Sequence, residues 1–171
     1  MLLPGDIDQT AFDEIVERET DISADVLVFP HHGSQSSVSD ERRFARDLVD
    51  AVGAHTVIFS IGRTARVRPS EAVVRGVLDA NPDAYIACTQ LSRGCLAADE
   101  LLPRASGLLT HLSAIPAAGR AACRSCAGSM TVTGSGLAGP VRSAHQAYVE
   151  AIADRPMCRL FRADGQSGRS N

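Results

Sequence analysis

Along the first 90 residues, hydrophobic positions alternate between a helical spacing and short continuous runs. Apolar residues spaced three or four positions apart predict helices over residues 9–19, 39–52 and 70–80. Uninterrupted apolar runs bounded by turn residues predict buried strands between these helices. The predicted strands are residues 1–3, 24–29, 56–61 and 84–88. This alternation predicts an α/β fold with helices covering a sheet, whereas the strand directions stay open.

The pattern weakens after the last of these strands, where the chain becomes rich in Ala, Leu, Gly and Pro. Farther on, we predict a strand over residues 129–133, a flexible link over 134–139 and a helix over 141–153. The Gly- and Ser-rich residues 164–171 are predicted to be a disordered tail. The chain then has three predicted parts: an α/β unit over 1–90, a Cys- and His-rich part over 91–163, and the tail.

The composition supports a packed core without a strongly charged surface. Of the 171 residues, 44% are hydrophobic and 22% are charged, and the net charge is -3. These values argue against wholesale disorder and against a broad basic surface for nucleic acid. All 17 basic positions are Arg, which excludes Schiff-base and P-loop lysine chemistry. No apolar run is long enough to span a membrane and no export signal is visible, so we expect a cytoplasmic protein without a membrane segment.

Polar residues with metal-binding chemistry follow two of the predicted strands. Asp6 comes after the first strand, and His31 and His32 come directly after the second. Loops at strand ends carry the chemistry of many α/β proteins, and carboxylate and imidazole groups are suitable ligands for Zn²⁺ or Mn²⁺. The alternative is structural: Asp6 would cap the helix behind it, and the histidines would hydrogen-bond to loop backbone.

Several segments of this region resemble the second half of the metallo-β-lactamase fold. They are LLPGDID, ADVLVFPHHGS, and VIFSIGR followed by RPSEAVVRGVL. The similarity is closest to the metallohydrolase domain of competence-protein (ComEC) type. The resemblance implies a partial αββα sandwich over residues 1–90, for which 129–133 would supply the closing strand. It also implies a metal-dependent hydrolase that attacks a phosphodiester, such as nucleic acid, or another ester with a metal-bound hydroxide.

The same resemblance assigns roles to individual residues. Asp6 matches the carboxylate that bridges two metal ions, and His31 matches a further ligand, so both are predicted catalytic residues. His32 stands beside them as a ligand or as a support for one. The expected cofactor is Zn²⁺, with Mn²⁺ as the alternative. Ser34 and Arg68 are predicted to bind substrate, although Arg68 stands where the family has a His, and the alternative for it is a solvated surface residue.

A larger departure from the family limits this prediction. The family's H-x-H-x-D-H motif is absent, and no His precedes His31. Asp6 and His31 offer too few donors for tightly bound catalytic zinc. We therefore expect an inactive half of a site, from a truncated chain or from a protein that works with a separate amino-terminal half or by self-association. The alternative is a decayed hydrolase or a zinc-stabilised interaction module without catalysis.

Cysteines and histidines of the second half predict a structural zinc site. Cys123 and Cys126 form a C-x-x-C pair, whose turn can direct two thiolates at one ion. Cys95 and His111 complete the predicted set, because the segment around them lacks a core pattern of its own and a metal could stabilise it.

Three further residues leave alternatives open for this site. Cys158 or His145 could replace the fourth ligand. Without zinc, all the cysteines would be reduced thiols, Cys88 would be an ordinary buried residue of a strand, and His145 would lie on the protein surface.

Overall fold

The computed structural model describes six stretches of the chain. They are residues 1–34, 39–62, 67–96, 126–134, 136–138 and 142–158. The predicted tail over 164–171 lies outside the described residues, as do His111 and Cys123 of the predicted zinc set.

A three-stranded parallel sheet forms the centre of the first half. β1 (Val26–Val28), β2 (Thr56–Phe59) and β3 (Tyr85–Cys88) lie side by side in chain order, each parallel to its neighbour. Leu2 extends the sheet beyond β1 through a parallel bridge to Leu27, with backbone hydrogen bonds of 2.8 and 3.0 Å. All these segments therefore end at the same edge of the sheet, where α/β proteins commonly place their sites.

Three helices alternate with these strands, and a polar residue caps each helix. They are α1 (Gln9–Glu17), α2 (Glu41–Val52) and α3 (Glu71–Ala80). Side-chain oxygens of Asp8, Asp40 and Ser70 accept hydrogen bonds from amides of the first turns at 3.0, 2.9 and 3.2 Å. These caps satisfy amides that have no partner inside the helix. The described first half is thus a mixed α/β arrangement, which confirms the predicted class.

The main core lies between the sheet and the helices α2 and α3. Its buried side chains include Phe44, Leu48, Val49, Val73, Val74, Val77 and Leu78, all on the predicted inward faces. In α1, Phe12 is buried, whereas Val16 is 50% exposed although the pattern places it on the same inward face. The prediction for Val16 is wrong because only the Phe12 side of α1 meets the core.

The second half contributes a hairpin and one further helix. β4 (Thr131–Thr133) and β5 (Gly136–Ala138) pair antiparallel, with Val132 opposite Leu137. α4 spans Arg142–Ile152, close to the predicted helix. The prediction of a flexible link over residues 134–139 is wrong, because β5 lies within it.

Packing explains why a Gly- and Ser-rich segment forms a strand. Met130 and Leu137 pack against Tyr85 and Ala87 of β3, and this contact stabilises the hairpin. Within the described stretches, β4 pairs with β5 and not with the three-stranded sheet. Among the helices of those stretches, none is long and apolar enough to cross a bilayer.

Candidate functional site

Asp6 and His31 meet at the carboxyl edge of the parallel strands. Asp6 follows the Leu2 segment and His31 follows β1, and these two segments are neighbours in the sheet. Asp6 Oδ1 lies 3.5 Å from His31 Nδ1, while the Asp6 side chain is 80% exposed and that of His31 is 31% exposed. The distance is longer than an ordinary N–H···O hydrogen bond, so the two groups are adjacent without being tightly bonded to each other.

Asp6 does not cap the helix that follows it. The carboxylate of Asp8 occupies that role, because its Oδ1 accepts a hydrogen bond from the Ala11 amide at 3.0 Å. The alternative interpretation of Asp6 as a helix cap is therefore wrong, and its carboxylate is left facing His31 and solvent.

The turn that carries the histidines has an unusual backbone. In Pro30–Gly33, His31 has φ 48° and His32 has φ 59°, so two successive non-glycine residues adopt the left-handed conformation. Each costs about 1–2 kcal/mol relative to an ordinary conformation, and residues of this kind cluster at functional sites. The surrounding structure must therefore hold the turn in place.

Gly33 anchors the turn against β2 and the start of α3. Its φ is +80°, and a Cβ atom there would lie 2.6 Å from both Phe59 Cδ1 and Pro69 Cβ. Its carbonyl accepts a hydrogen bond from the Ser70 amide at 2.8 Å. Only glycine allows both this conformation and this close approach.

The two histidines present their ring nitrogens differently. His31 Nε2 is buried and has no hydrogen-bond partner among the described residues. His32 Nδ1 lies 2.5 Å from the Ser60 carbonyl oxygen, which can only accept, so Nδ1 donates this hydrogen bond and the neutral ring has its lone pair on Nε2. A backbone carbonyl that fixes one ring nitrogen is the usual arrangement behind a histidine ligand. The expected hydrogen bond from a histidine to loop backbone is therefore present at His32.

The two predicted substrate-binding residues lie close to this turn. Ser34 is half-buried, and its amide donates to the His31 carbonyl at 3.3 Å. Arg68 is also half-buried, and its Nε is buried without a partner in the described part of the chain. Arg68 precedes Pro69, which packs against Gly33, so the loop of Arg68 lies beside the histidine turn.

The potential metal donors at this edge are few. Asp6 and His31 are adjacent, and His32 offers a further imidazole on the same turn. In the described stretches, no three His, Cys, Asp or Glu residues are grouped so that they could hold a metal ion. Two adjacent donors fall short of the three that catalytic zinc sites take from the protein.

A separate group of thiols lies between the main core and α4. Cys88, Cys95, Cys126 and Cys158 line one cavity of about 20 Å³, together with apolar side chains such as Val149 and Met157. That volume is about the space of one water molecule. Two of the four cysteines, Cys95 and Cys126, belong to the set predicted from sequence.

His145 is buried beside these thiols rather than on the surface. Its side chain is 2% exposed, with Nε2 at 3.1 Å from Cys126 Sγ and Nδ1 at 2.8 Å from the Tyr85 hydroxyl oxygen. The surface assignment is wrong because His145 shares an inward face of α4 with Tyr148 and Val149. The spacing of these three residues, at i, i+3 and i+4, is the sequence signal that could have revealed this.

Burial changes the acid–base properties of this region. It raises the pKa of the Cys88 and Cys126 thiols well above the ordinary value, and it likewise raises the pKa of the Tyr85 hydroxyl. These groups are therefore held in their neutral, protonated forms at neutral pH.

Comparison with known proteins identifies no relative of this chain. No protein-family model, curated protein or solved structure matches the chain. The similarity to the metallo-β-lactamase fold accordingly rests on the motifs of the first 90 residues and stays a prediction.

Proposed function

We propose that residues 1–90 form one half of the active site of a metal-dependent phosphodiester hydrolase of the metallo-β-lactamase superfamily. Asp6 and His31 supply metal-binding donors in this half. The observation that carries the proposal is the 3.5 Å approach of Asp6 Oδ1 to His31 Nδ1 at the carboxyl edge of the parallel strands. The αββα sandwich implied by the resemblance is part of the same proposal, with the three-stranded sheet belonging to one of its layers.

Two features of the described residues support a ligand at this edge. Asp8 caps α1, so Asp6 is not needed there. The left-handed backbone of His31 and His32 raises the free energy of the folded chain, yet Gly33 and its contacts hold the turn in that form. A metal or substrate at this edge would explain why a strained turn with an exposed carboxylate beside it is maintained.

Side chains at this edge of the sheet have the chemistry to bind a metal cation and an anionic ester. A bound Zn²⁺ or Mn²⁺ would polarise the phosphate and provide a hydroxide near neutral pH. Asp6 brings a negative charge toward such an ion, and a neutral imidazole brings a lone pair. Arg68 carries a permanent positive charge on the neighbouring loop, where it can pair with a phosphodiester oxygen, and the Ser34 hydroxyl can donate to another.

In this proposal, a second polypeptide supplies the remaining metal-binding donors. Because two adjacent donors are too few for a tightly held catalytic ion, the proposal includes a second polypeptide that contributes an H-x-H-x-D-H segment. By itself the chain is expected to bind metal weakly and to hydrolyse little or no substrate.

The test is reconstitution of phosphodiester hydrolysis. The chain is co-expressed with a polypeptide carrying the H-x-H-x-D-H half, and the purified complex is assayed with Zn²⁺ or Mn²⁺ on bis-p-nitrophenyl phosphate. Turnover that disappears in Asp6→Ala and His31→Ala supports the proposal. A complex that assembles and binds metal without turnover contradicts it, and turnover by the chain alone would show that the site is complete.

A second Asp and His pair in the chain provides the matched control. Asp25 Oδ1 and His55 Nδ1 lie 4.0 Å apart, and both side chains are largely exposed at 96% and 79%. Asp25→Ala and His55→Ala remove the same chemical groups away from the carboxyl edge. Both variants should therefore keep the turnover that Asp6→Ala and His31→Ala lose.

A further inference from the structure

Four cysteines from distant parts of the sequence line one small cavity. Cys88 ends β3, Cys95 follows it, Cys126 precedes the hairpin and Cys158 follows α4. Backbone contacts hold these segments together: the Ala127 amide donates to the Cys88 carbonyl at 2.7 Å, and the Arg155 amide donates to the Cys95 carbonyl at 2.9 Å. The rest of the lining is mainly apolar, so sulfur is the dominant ligand chemistry of this cavity.

We propose that this cavity is a binding site for one thiophilic metal ion, Zn²⁺ or a metal of similar softness, with Cys88, Cys95, Cys126 and Cys158 as its thiolate ligands. Soft sulfur donors select such ions, and four thiolates give the tetrahedral set that structural zinc prefers. The cavity of about 20 Å³ has room for a single ion but not for an organic substrate.

This ligand set differs from the one that the sequence predicts. It keeps Cys95 and Cys126, and it replaces His111 and Cys123 by Cys88 and Cys158. The difference matters because the two sets make opposite predictions for Cys88 and for Cys123.

Binding requires a local adjustment of the thiols. In the described stretches the sulfurs surround the cavity without being grouped as ligands of one ion. Rotation about the Cα–Cβ bonds, between staggered positions, is the movement that would bring them together. Each thiol that binds the ion releases one proton to solvent, so four protons leave for each ion bound.

His145 and Tyr85 are positioned to support one of these ligands. The Tyr85 hydroxyl, at 2.8 Å, can donate to His145 Nδ1, and the Nε2–H can then donate to Cys126 Sγ at 3.1 Å. This relay places a hydrogen-bond donor on a developing thiolate in a buried site, which is how outer groups commonly stabilise a metal ligand. His145 and Tyr85 are therefore positioning residues, not ligands.

Cobalt titration of the full chain tests the proposal. The reduced, metal-free chain is titrated with Co²⁺ while the thiolate-to-cobalt charge-transfer absorption and the d–d absorption of tetrahedral Co²⁺ are recorded. We expect one Co²⁺ per chain with both bands, and their loss when Zn²⁺ is added. Absence of these bands in the wild-type chain would overturn the proposal.

Cysteine variants identify the ligands. Cys88→Ser and Cys158→Ser should each lose the bands, whereas Cys123→Ser, the matched control, should keep them. The reverse pattern, with binding lost in Cys123→Ser and His111→Ala but kept in Cys88→Ser, would overturn the proposed set. If Cys88→Ser does not fold by circular dichroism, Cys158→Ser decides the matter, because Cys88 is part of β3 whereas Cys158 lies outside the central sheet.

The positioning role has its own readout. Tyr85→Phe removes the hydroxyl that orients His145 and leaves all four thiols in place. We expect its Co²⁺ affinity to fall by about 10–100-fold with the charge-transfer band still present at saturation. Unchanged affinity would contradict the positioning role of Tyr85.

Discussion

The Asp6 carboxylate lies 3.5 Å from the His31 imidazole because Leu2 pairs parallel with Leu27. The bridge aligns the start of the chain with β1, so the residue after each segment emerges at the same edge of the sheet. The left-handed turn at His31 then directs its ring toward Asp6 instead of along the strand. The geometry of the candidate site therefore depends on a short parallel pairing and on a turn fixed by its neighbours.

Gly33→Ala should disrupt the histidine turn. The new Cβ would lie 2.6 Å from Phe59 Cδ1 and Pro69 Cβ, in a left-handed backbone that alanine disfavours. Overpacking of this kind costs about 1–3 kcal/mol, and the left-handed conformation adds about 1–2 kcal/mol. We expect a clear loss in the free energy of unfolding, measured by urea denaturation.

Gly5→Ala separates the two contributions to that loss. Gly5 also has a positive φ of 65°, but a Cβ there meets nothing within 4 Å. Gly5→Ala should cost only the conformational part, about 1–2 kcal/mol. Equal losses in the two variants would show that the turn is not packed against Phe59 and Pro69 as described.

Gly76→Ala should separate α2 from α3. A Cβ at Gly76 would overlap the Arg42 carbonyl oxygen and lie 2.8 Å from Ala45 Cβ, and the first of these is backbone that cannot rotate away. We expect a destabilisation of about 1–3 kcal/mol and a lower thermal midpoint. Gly134→Ala, where a Cβ meets nothing within 4 Å, is the control and should be close to neutral. A Gly76→Ala chain as stable as wild type would rule out the close helix contact.

Stability should decline at alkaline pH. Burial raises the pKa of Cys88, Cys126 and Tyr85 in the folded chain, while the unfolded chain ionises its thiols from about pH 8.5 and its tyrosines from about pH 10. Above those values the folded state binds more protons than the unfolded state, so the free energy of unfolding falls as pH rises. Each such group contributes a slope of up to about 1.4 kcal/mol per pH unit. Below about pH 8 the contribution is fully present.

Urea denaturation of the reduced chain between pH 7 and pH 10.5, with a chelator present, measures this slope. Cys88→Ala removes one of the three groups and should make the decline shallower. A free energy of unfolding that is independent of pH over this range would show that the thiols and the Tyr85 hydroxyl are not buried.

Much of the first half could be predicted from local sequence. The helices α2 and α3 combine a clear apolar period with the capping residues Asp40 and Ser70, so their starts are marked as well as their faces. The parallel pairing of the strands could not be predicted from local sequence, because strand direction depends on contacts between distant segments. The exposure of Val16 could not be predicted from local sequence either, since it depends on how far the core extends along α1.

The two candidate sites differ in how much the sequence revealed. Asp6 and His31 each follow a predicted strand, so their position at strand ends could be predicted from the sequence. The contact between them could not. The thiol cavity brings together Cys88 at the end of β3 and Cys158 after α4, and no local pattern connects them. The buried contacts of His145 could not be predicted from local sequence, because its partners Tyr85 and Cys126 lie on other parts of the chain.

Manganese-induced broadening of the histidine ring signals in NMR spectra tests the central claim most directly. Mn²⁺ prefers oxygen and nitrogen donors, so it reports on Asp6 and the histidine turn and not on the thiols. At substoichiometric Mn²⁺ we predict broadening of the His31 and His32 signals, loss of that effect in Asp6→Ala, and no change in Asp25→Ala. Broadening of His55 to the same extent, or broadening of His31 that persists in Asp6→Ala, would contradict a metal-binding half-site at this edge of the sheet.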